Sequence, residues 1–288
     1  MFSRILVPLD GTPESNAALP AARTIAHATD ASVYLLQVLE SPAGEASAND
    51  AANKLTRVAG ELGANGVRVE SAVRRGQAAD EIIQQVREQA ADLVIMRTRG
   101  RAGIERAVLG SVGERLLSRS DVPIVMLRPG GRRLDRIANV LVPVDGSPGG
   151  ALAMSHAVGL AKATGAQIRL LEVVVPMVFQ ALTPNEGPMY YDPAWDDEAL
   201  SAAQTYVAGM VTRLGEAGVV ASGEARTAPD IPGAIVQAAD EHTADLIVMS
   251  TQALTGLQRA LLGSVADAVV RASACPVLLL HRRNQEES

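Results

Sequence analysis

LVPLDGT at Leu6 to Thr12 returns as LVPVDGS at Leu141 to Ser147, and VLGSVGERLL at Val108 to Leu117 returns as LLGSVADAVV at Leu261 to Val270. Between these landmarks ADLVIMRT (Ala91 to Thr98) matches ADLIVMST (Ala244 to Thr251), and Leu62-Gly63 with Gly66-Val67 matches Leu214-Gly215 with Gly218-Val219. The chain is therefore one unit written twice. The spacing between matched residues grows along the chain, so the second copy carries about 18 extra residues between Val175 and a helix near Asp197.

Each unit alternates short apolar runs with stretches of helical spacing. Ile5 to Leu9, Val33 to Leu39, Val67 to Val73, Leu93 to Met96 and Ile124 to Leu127 are rich in Val, Ile and Leu and do not alternate with polar residues, as expected of strands buried on both faces. Ala17 to Thr29, Asp50 to Leu62, Ala79 to Gln89 and Ser111 to Arg119 supply the helices between them. Strand-helix alternation of this kind predicts a parallel sheet with helices on both faces and right-handed crossovers. The expected fold is α/β, with two tandem doubly wound Rossmann-like domains, each a five-stranded parallel sheet. The expected boundaries are 1–129 and 137–283, with a linker at 130–136 and an inserted loop at 176–195.

Composition narrows the function classes. At 288 residues the chain is long enough for two domains that bury cores without disulfides, and the single Cys275 forms no internal bridge. No export signal and no apolar stretch of membrane-spanning length is read, so the expected compartment is the cytoplasm, with no membrane partner. The net charge of -6 argues against a nucleic-acid surface. The densest basic run, Arg128 to Arg136, reads as a solvated linker. His27, His156, His242 and His281 do not recur between copies and lack metal spacing, which puts them at surface or cap positions. Cys275, just before Pro276, reads as a small buried apolar residue.

Ligands in doubly wound sheets sit beyond the carboxyl ends of the strands. Strand one ends in Pro8-Leu9-Asp10-Gly11-Thr12, and its copy ends in Asp145-Gly146-Ser147: a carboxylate, a turn glycine and a hydroxyl suited to a helix N-cap. Strand four runs through Met96 into Arg97-Thr98-Arg99-Gly100, and nine residues later Gly110-Ser111 opens a helix. Glycines there let backbone N–H groups approach an anion at a helix N-terminus, although Ser111 also suits a plain N-cap. The spacing is neither a Walker A loop nor a dinucleotide fingerprint.

Together these residues resemble the universal stress protein family, whose pattern GxxG, nine residues, then G[ST] follows strand four. The LVPxDGS start and the CPVLLL last strand (Cys275 to Leu280) are equally typical, and the resemblance spans both halves. It implies the strand order 3-2-1-4-5 within each sheet and, in the ATP-binding branch, adenine contacts from Asp10 and Val38, repeated as Asp145 and Val173. Pro8 and Met96 border the same place, and Gly100, Gly110 and Ser111, repeated as Gly263 and Ser264, hold ribose and phosphates. The implied cofactor is ATP, with or without Mg2+. The implied assembly is an intramolecular pseudo-dimer in which Val122 to Leu127 faces Pro276 to Leu280, with a further homodimer open.

Both copies depart from the pattern. Arg97 replaces the first glycine of copy one, where it either fills the ribose space, offers its guanidinium to phosphates or points to solvent. Copy two reads Ser250-x-x-Ala253, and both glycines are gone. A micromolar nucleotide binds with about 8 kcal/mol, and each lost charge-assisted bond removes about 1.5 to 3. Copy one is thus expected to bind ATP, and copy two weakly or not at all. The protein is expected to be a stress-response regulator and no enzyme beyond weak ATP hydrolysis. A protein working through surfaces alone and a slow ATPase remain as alternatives. The inserted loop, with Phe179, Tyr190, Tyr191 and Trp195, either packs on its own helices or a partner or lies over the second pocket.

Overall fold

The computed structural model describes residues 1–40, 45–98, 110–120, 122–177, 192–251 and 263–281. In copy one the strands are β1 (Arg4–Leu9), β2 (Ser32–Leu39), β3 (Val69–Arg75), β4 (Leu93–Arg97) and β5 (Ile124–Leu127). The helices are α1 (Ala18–Thr29), α2 (Glu45–Gly63), α3 (Ala78–Glu88) and α4 (Gly110–Arg119). Copy two repeats them as β6 (Asn139–Pro143), α5 (Pro148–Thr164), β7 (Gln167–Val174), α6 (Ala194–Glu216), β8 (Ala221–Thr227), α7 (Ile231–Glu241), β9 (Leu246–Thr251), α8 (Ser264–Ala272) and β10 (Val277–His281).

All ten strands join one sheet in the order β3-β2-β1-β4-β5-β10-β9-β6-β7-β8. Each half keeps the order 3-2-1-4-5 and is parallel throughout; the halves meet at an antiparallel seam pairing Val277 with Met126, Leu278 with Val125 and Leu279 with Ile124. The expected pair of five-stranded sheets is in fact continuous. Both edges carry charge, Glu70, Arg74 and Arg75 on β3 and Glu224 and Arg226 on β8, which disfavours pairing with another chain.

The cores are layers rather than one per copy. One face of the sheet buries Leu35 and Ile95 of copy one with Leu170 and Val248 of copy two, and α1 touches α5 across the seam. The other face buries Leu36, Met96 and Leu116 with Leu171, Met249 and Val269. The helices match this arrangement: α1 buries Ala18, Ala21, Ala22, Ile25 and Ala26, the i, i+3, i+4 spacing of a single stripe.

Differences from the sequence reading have local causes. β3 starts at Val69 rather than Val67, because the chain turns at Gly66 (φ 82°) and the ladder engages Val33 opposite Val69. Helix α2 begins at Glu45, upstream of Asp50. Ser147 caps α5 by accepting from the Gly150 amide at 3.2 Å, but Thr12 is no cap. A short 3₁₀ turn over Ser15–Ala17 intervenes and α1 starts only at Ala18.

The basic connector is not a solvated linker. Arg128 donates to the Ala272 carbonyl at 2.8 Å, and Arg132 donates to the Ala239 and Ala244 carbonyls and pairs with Asp240 at 2.7 Å. Leu134 and Ile137 are buried. The guanidinium groups meet carbonyls at or beside the C-terminal ends of α7 and α8, where helix dipoles favour cations. Arg132→Ala is expected to lower the stability of the chain by about 1–2 kcal/mol, read as a drop in urea midpoint at unchanged slope.

Cys275 is buried as expected. Its thiol donates to the Ala244 carbonyl at 3.2 Å, and burial pushes its pKa up to about 12. Such a thiol is inert at neutral pH.

Candidate functional site: two strand-end clefts

The turn after β1 is built around Asp10, whose Oδ1 accepts from the Thr12 amide at 3.0 Å and the Thr12 hydroxyl at 2.6 Å. Gly11 sits at φ 80°, and a Cβ there would lie 2.6 Å from Gln37 Nε2, so both the conformation and the space demand glycine. β4 is fastened at its carboxyl end by Arg97 opposite Leu127 and by the Thr98 amide bonding the Leu127 carbonyl at 2.8 Å. Gly110 starts α4 at φ 73°.

These elements converge on a cleft of about 630 Å³. Pro8, Asp10, Val38, Met96, Arg97, Gly110 and Ser111 all line it, so seven of the eight copy-one residues singled out from the sequence meet in one place. The eighth, Gly100, lies outside the described residues. Sequence reasoning missed Glu14, Glu40, Ile82 and Thr98, which share the wall. Ile82 lay on the amphipathic face of α3, and Glu40 on the residue after β2; those were the available signals. The Arg97 guanidinium lines the cleft half-buried, with no hydrogen bond or ion pair to a described residue.

The second cleft holds about 300 Å³. Asp145, Val173, Gly263 and Ser264 line it with Pro143, Met249 and Ser250, and the apolar side chains Ile231 and Ile235 complete the wall. Its turn repeats the first, Asp145 Oδ1 accepting from the Ser147 amide at 2.9 Å. Gly263 has φ -55°, so here the glycine is not required by backbone conformation.

One pair of positions accounts for the difference in size. In copy two a Cβ on Gly149 would lie 2.6 Å from Ser250 Oγ, so the first turn of α5 packs directly against the end of β9. The matching residues of copy one are Glu14 and Arg97. Two long charged side chains cannot share that gap, the helix starts later, and the first cleft stays wide.

A second exchange lies on the other side of the Asp145 turn. Glu172 stands where copy one has Gln37, and one of its carboxylate oxygens is buried without a partner. Burial, and then the neighbouring Asp145, raise the Glu172 pKa above the usual carboxylate value. The folded state therefore holds this proton more tightly than the unfolded chain, and its stability is lost as pH rises through the folded pKa. Glu172→Gln is expected to raise the melting temperature at pH about 7–8 while leaving it nearly unchanged at about pH 4, a gain of up to about 1 kcal/mol after solvent screening. An equal gain at both pH values would contradict this origin.

The histidines do not join either cleft. His242 ends α7, and its Nε2 meets Glu224 Oε1 at 3.0 Å; Arg226 bridges Glu224 and Glu241 beside it. Burial pushes the Glu224 pKa up, but hydrogen bonds from His242 and Arg226 outweigh it and the net shift is downward. Glu224, Glu241 and His242 place their ligand atoms within 4.8 Å of one another, and Arg226 already neutralises both carboxylates. His156 packs against Phe2, with ring centroids 5.9 Å apart. The side chain of His281 lies outside the described residues.

Of the inserted loop, 178–191 lies outside the described residues. Its ends are tied: the Met177 amide bonds Asp196 Oδ1 at 2.9 Å, and Trp195 is already in α6.

A doubly wound α/β body with a cleft at each set of strand ends is thus defined. The sequence profile of the Universal stress protein family matches residues 1–128 and 137–281, and the chain belongs to that family as a tandem of two such units. A universal stress protein of Mycolicibacterium smegmatis is 28% identical over 297 residues, covering 97% of both chains. One from Methanocaldococcus jannaschii is 28% identical over 144 residues, 44% of this chain and 83% of its own. Among solved structures, a universal stress protein from Archaeoglobus fulgidus superposes with a TM-score of 0.75 at 21% identity, over 97% of this chain and 98% of that one. No described helix is long and apolar enough to cross a membrane.

Proposed function

We propose that this tandem universal stress protein is an adenine-nucleotide-binding regulator whose first copy holds ATP and whose second copy holds it weakly or not at all. The observation that carries this reading is the wide cleft of copy one, where the seven described family positions meet around Arg97. The residues fit the nucleotide. Val38, Met96 and Ile82 offer apolar walls for a base and Asp10 an acceptor for its donors. The half-buried Arg97 guanidinium and the amides that open α4 suit phosphates. Glu14 and Glu40 are carboxylates within reach of a Mg2+ counter-ion carried by the phosphates.

The described lining of this cleft offers carboxylates, hydroxyls and one guanidinium but no histidine, lysine or cysteine, which supports a binding regulator with at most weak hydrolysis. We take 1–129 and 137–283 as the two domains, joined by 130–136. The β5–β10 seam supports an intramolecular pseudo-dimer, the cytoplasm is the compartment that suits it, and a homodimer of tandems stays open.

Calorimetric titration of nucleotide-stripped protein with Mg-ATP tests the reading. One site per chain is expected. Two would overturn the asymmetry, and none would favour the alternative that the damaged loops support, a stress protein acting through its surfaces.

A further inference from the structure

The second cleft differs from the first in kind as well as in size. Its described walls are mainly apolar, from Leu171, Val173, Ile231, Ile235 and Met249, and contain no cationic side chain. Where copy one presents Arg97, copy two presents Ser250, closed against Gly149. The space that would receive ribose and phosphates is therefore narrowed by the start of α5.

Charge points the same way. Asp145 lines the cleft with one oxygen engaged by the Ser147 amide, which leaves the other for a donor. Glu172 stands beside it on β7 with a buried, unpartnered carboxylate oxygen, where copy one has the neutral Gln37. Two carboxylates at one strand end with no described cation repel a phosphate. They do not repel an uncharged ring that donates an N–H, because a hydrogen bond to a carboxylate is among the stronger neutral-to-ion contacts. Met249 and the branched side chains offer the flat apolar contact such a ring requires, the thioether favouring an aromatic edge.

We propose that copy two is a site for an uncharged purine-type heterocycle, a nucleobase or nucleoside without phosphates, anchored by Asp145 and enclosed by Val173, Ile231, Ile235 and Met249. The proposal rests on the reading of the strand-end clefts as ligand sites but not on ATP occupying the first. The molecule then carries two chemically distinct sites, one for a phosphorylated ligand and one for its dephosphorylated core.

The test is titration of Gly110→Trp protein, whose first cleft is filled, with adenosine and separately with Mg-ATP. Adenosine is expected to bind at one site and ATP at least about tenfold more weakly. Asp145→Ala, at an exposed position, is expected to weaken adenosine by about tenfold or more, and Glu172→Gln to narrow the gap between the two ligands. Absence of adenosine binding, or ATP binding as tightly as adenosine, overturns the proposal. Should Gly110→Trp fail to fold by circular dichroism, wild-type protein saturated with ATP serves instead, and adenosine is expected to find a remaining site. Failure of ATP to bind wild-type protein would sink the first reading while leaving the adenosine result to decide this one.

Discussion

Leu278→Asp is expected to abolish the folded state or leave it barely populated at neutral pH. Leu278 is fully buried in β10, opposite Val125 across the antiparallel seam and beside Val248 on β9, themselves fully buried. A carboxylate there has no cation to pair with among these neighbours. A buried acid in such surroundings moves its pKa by up to 3–5 units, equivalent to about 4–7 kcal/mol against ionisation. That is comparable to the whole stability of a typical domain, about 5–15 kcal/mol. Leu278→Ala, which leaves only a cavity, should cost about 2–5 kcal/mol and remain folded. Urea titration followed by circular dichroism separates the two. A Leu278→Asp protein with a normal midpoint would mean that the seam does not hold the copies together.

Gly110→Trp should remove ATP binding by at least about a hundredfold, while the same change at Gly263 should leave the ATP stoichiometry untouched. Gly110 lines the wide cleft at φ 73°, with open space where a side chain would begin, so a large ring projects into the ligand volume. Strain alone accounts for little of this, because a left-handed residue with a Cβ costs about 1–2 kcal/mol. Gly110→Ala therefore serves as the control, with retained but weakened binding. Equal losses from Gly110→Trp and Gly263→Trp would contradict the asymmetry.

The duplicated LVPxDG and LGSV stretches carried most of the fold in plain view, since a parallel strand buried on both faces announces itself as an unbroken apolar run. They also located the clefts, because Asp10, Val38, Met96 and Gly110 each stand at a strand or helix end where the topology gathers them. What escaped notice depended on pairs of residues rather than on single motifs. Gly149 against Ser250, and Glu14 with Arg97, set the width of each cleft through contacts between segments distant in sequence. Glu172 beside Asp145 was visible only as one difference between otherwise matching strands. The connector looked like a hydrated basic run because the carbonyls it caps belong to α7 and α8, more than a hundred residues away.

The antiparallel seam has a consequence for how ligands could be read. Because β5 and β10 run in opposite directions and every other pairing is parallel, the carboxyl ends of the first five strands point one way and those of the last five the other. The two mouths open back to back. No single partner domain can plug both from one approach, and ligands in them never share a wall. The duplication made a double-ended adaptor, able to present an ATP-filled end to one neighbour and an independently filled end to another, with ten hydrogen-bonded strands as the rigid bar between them.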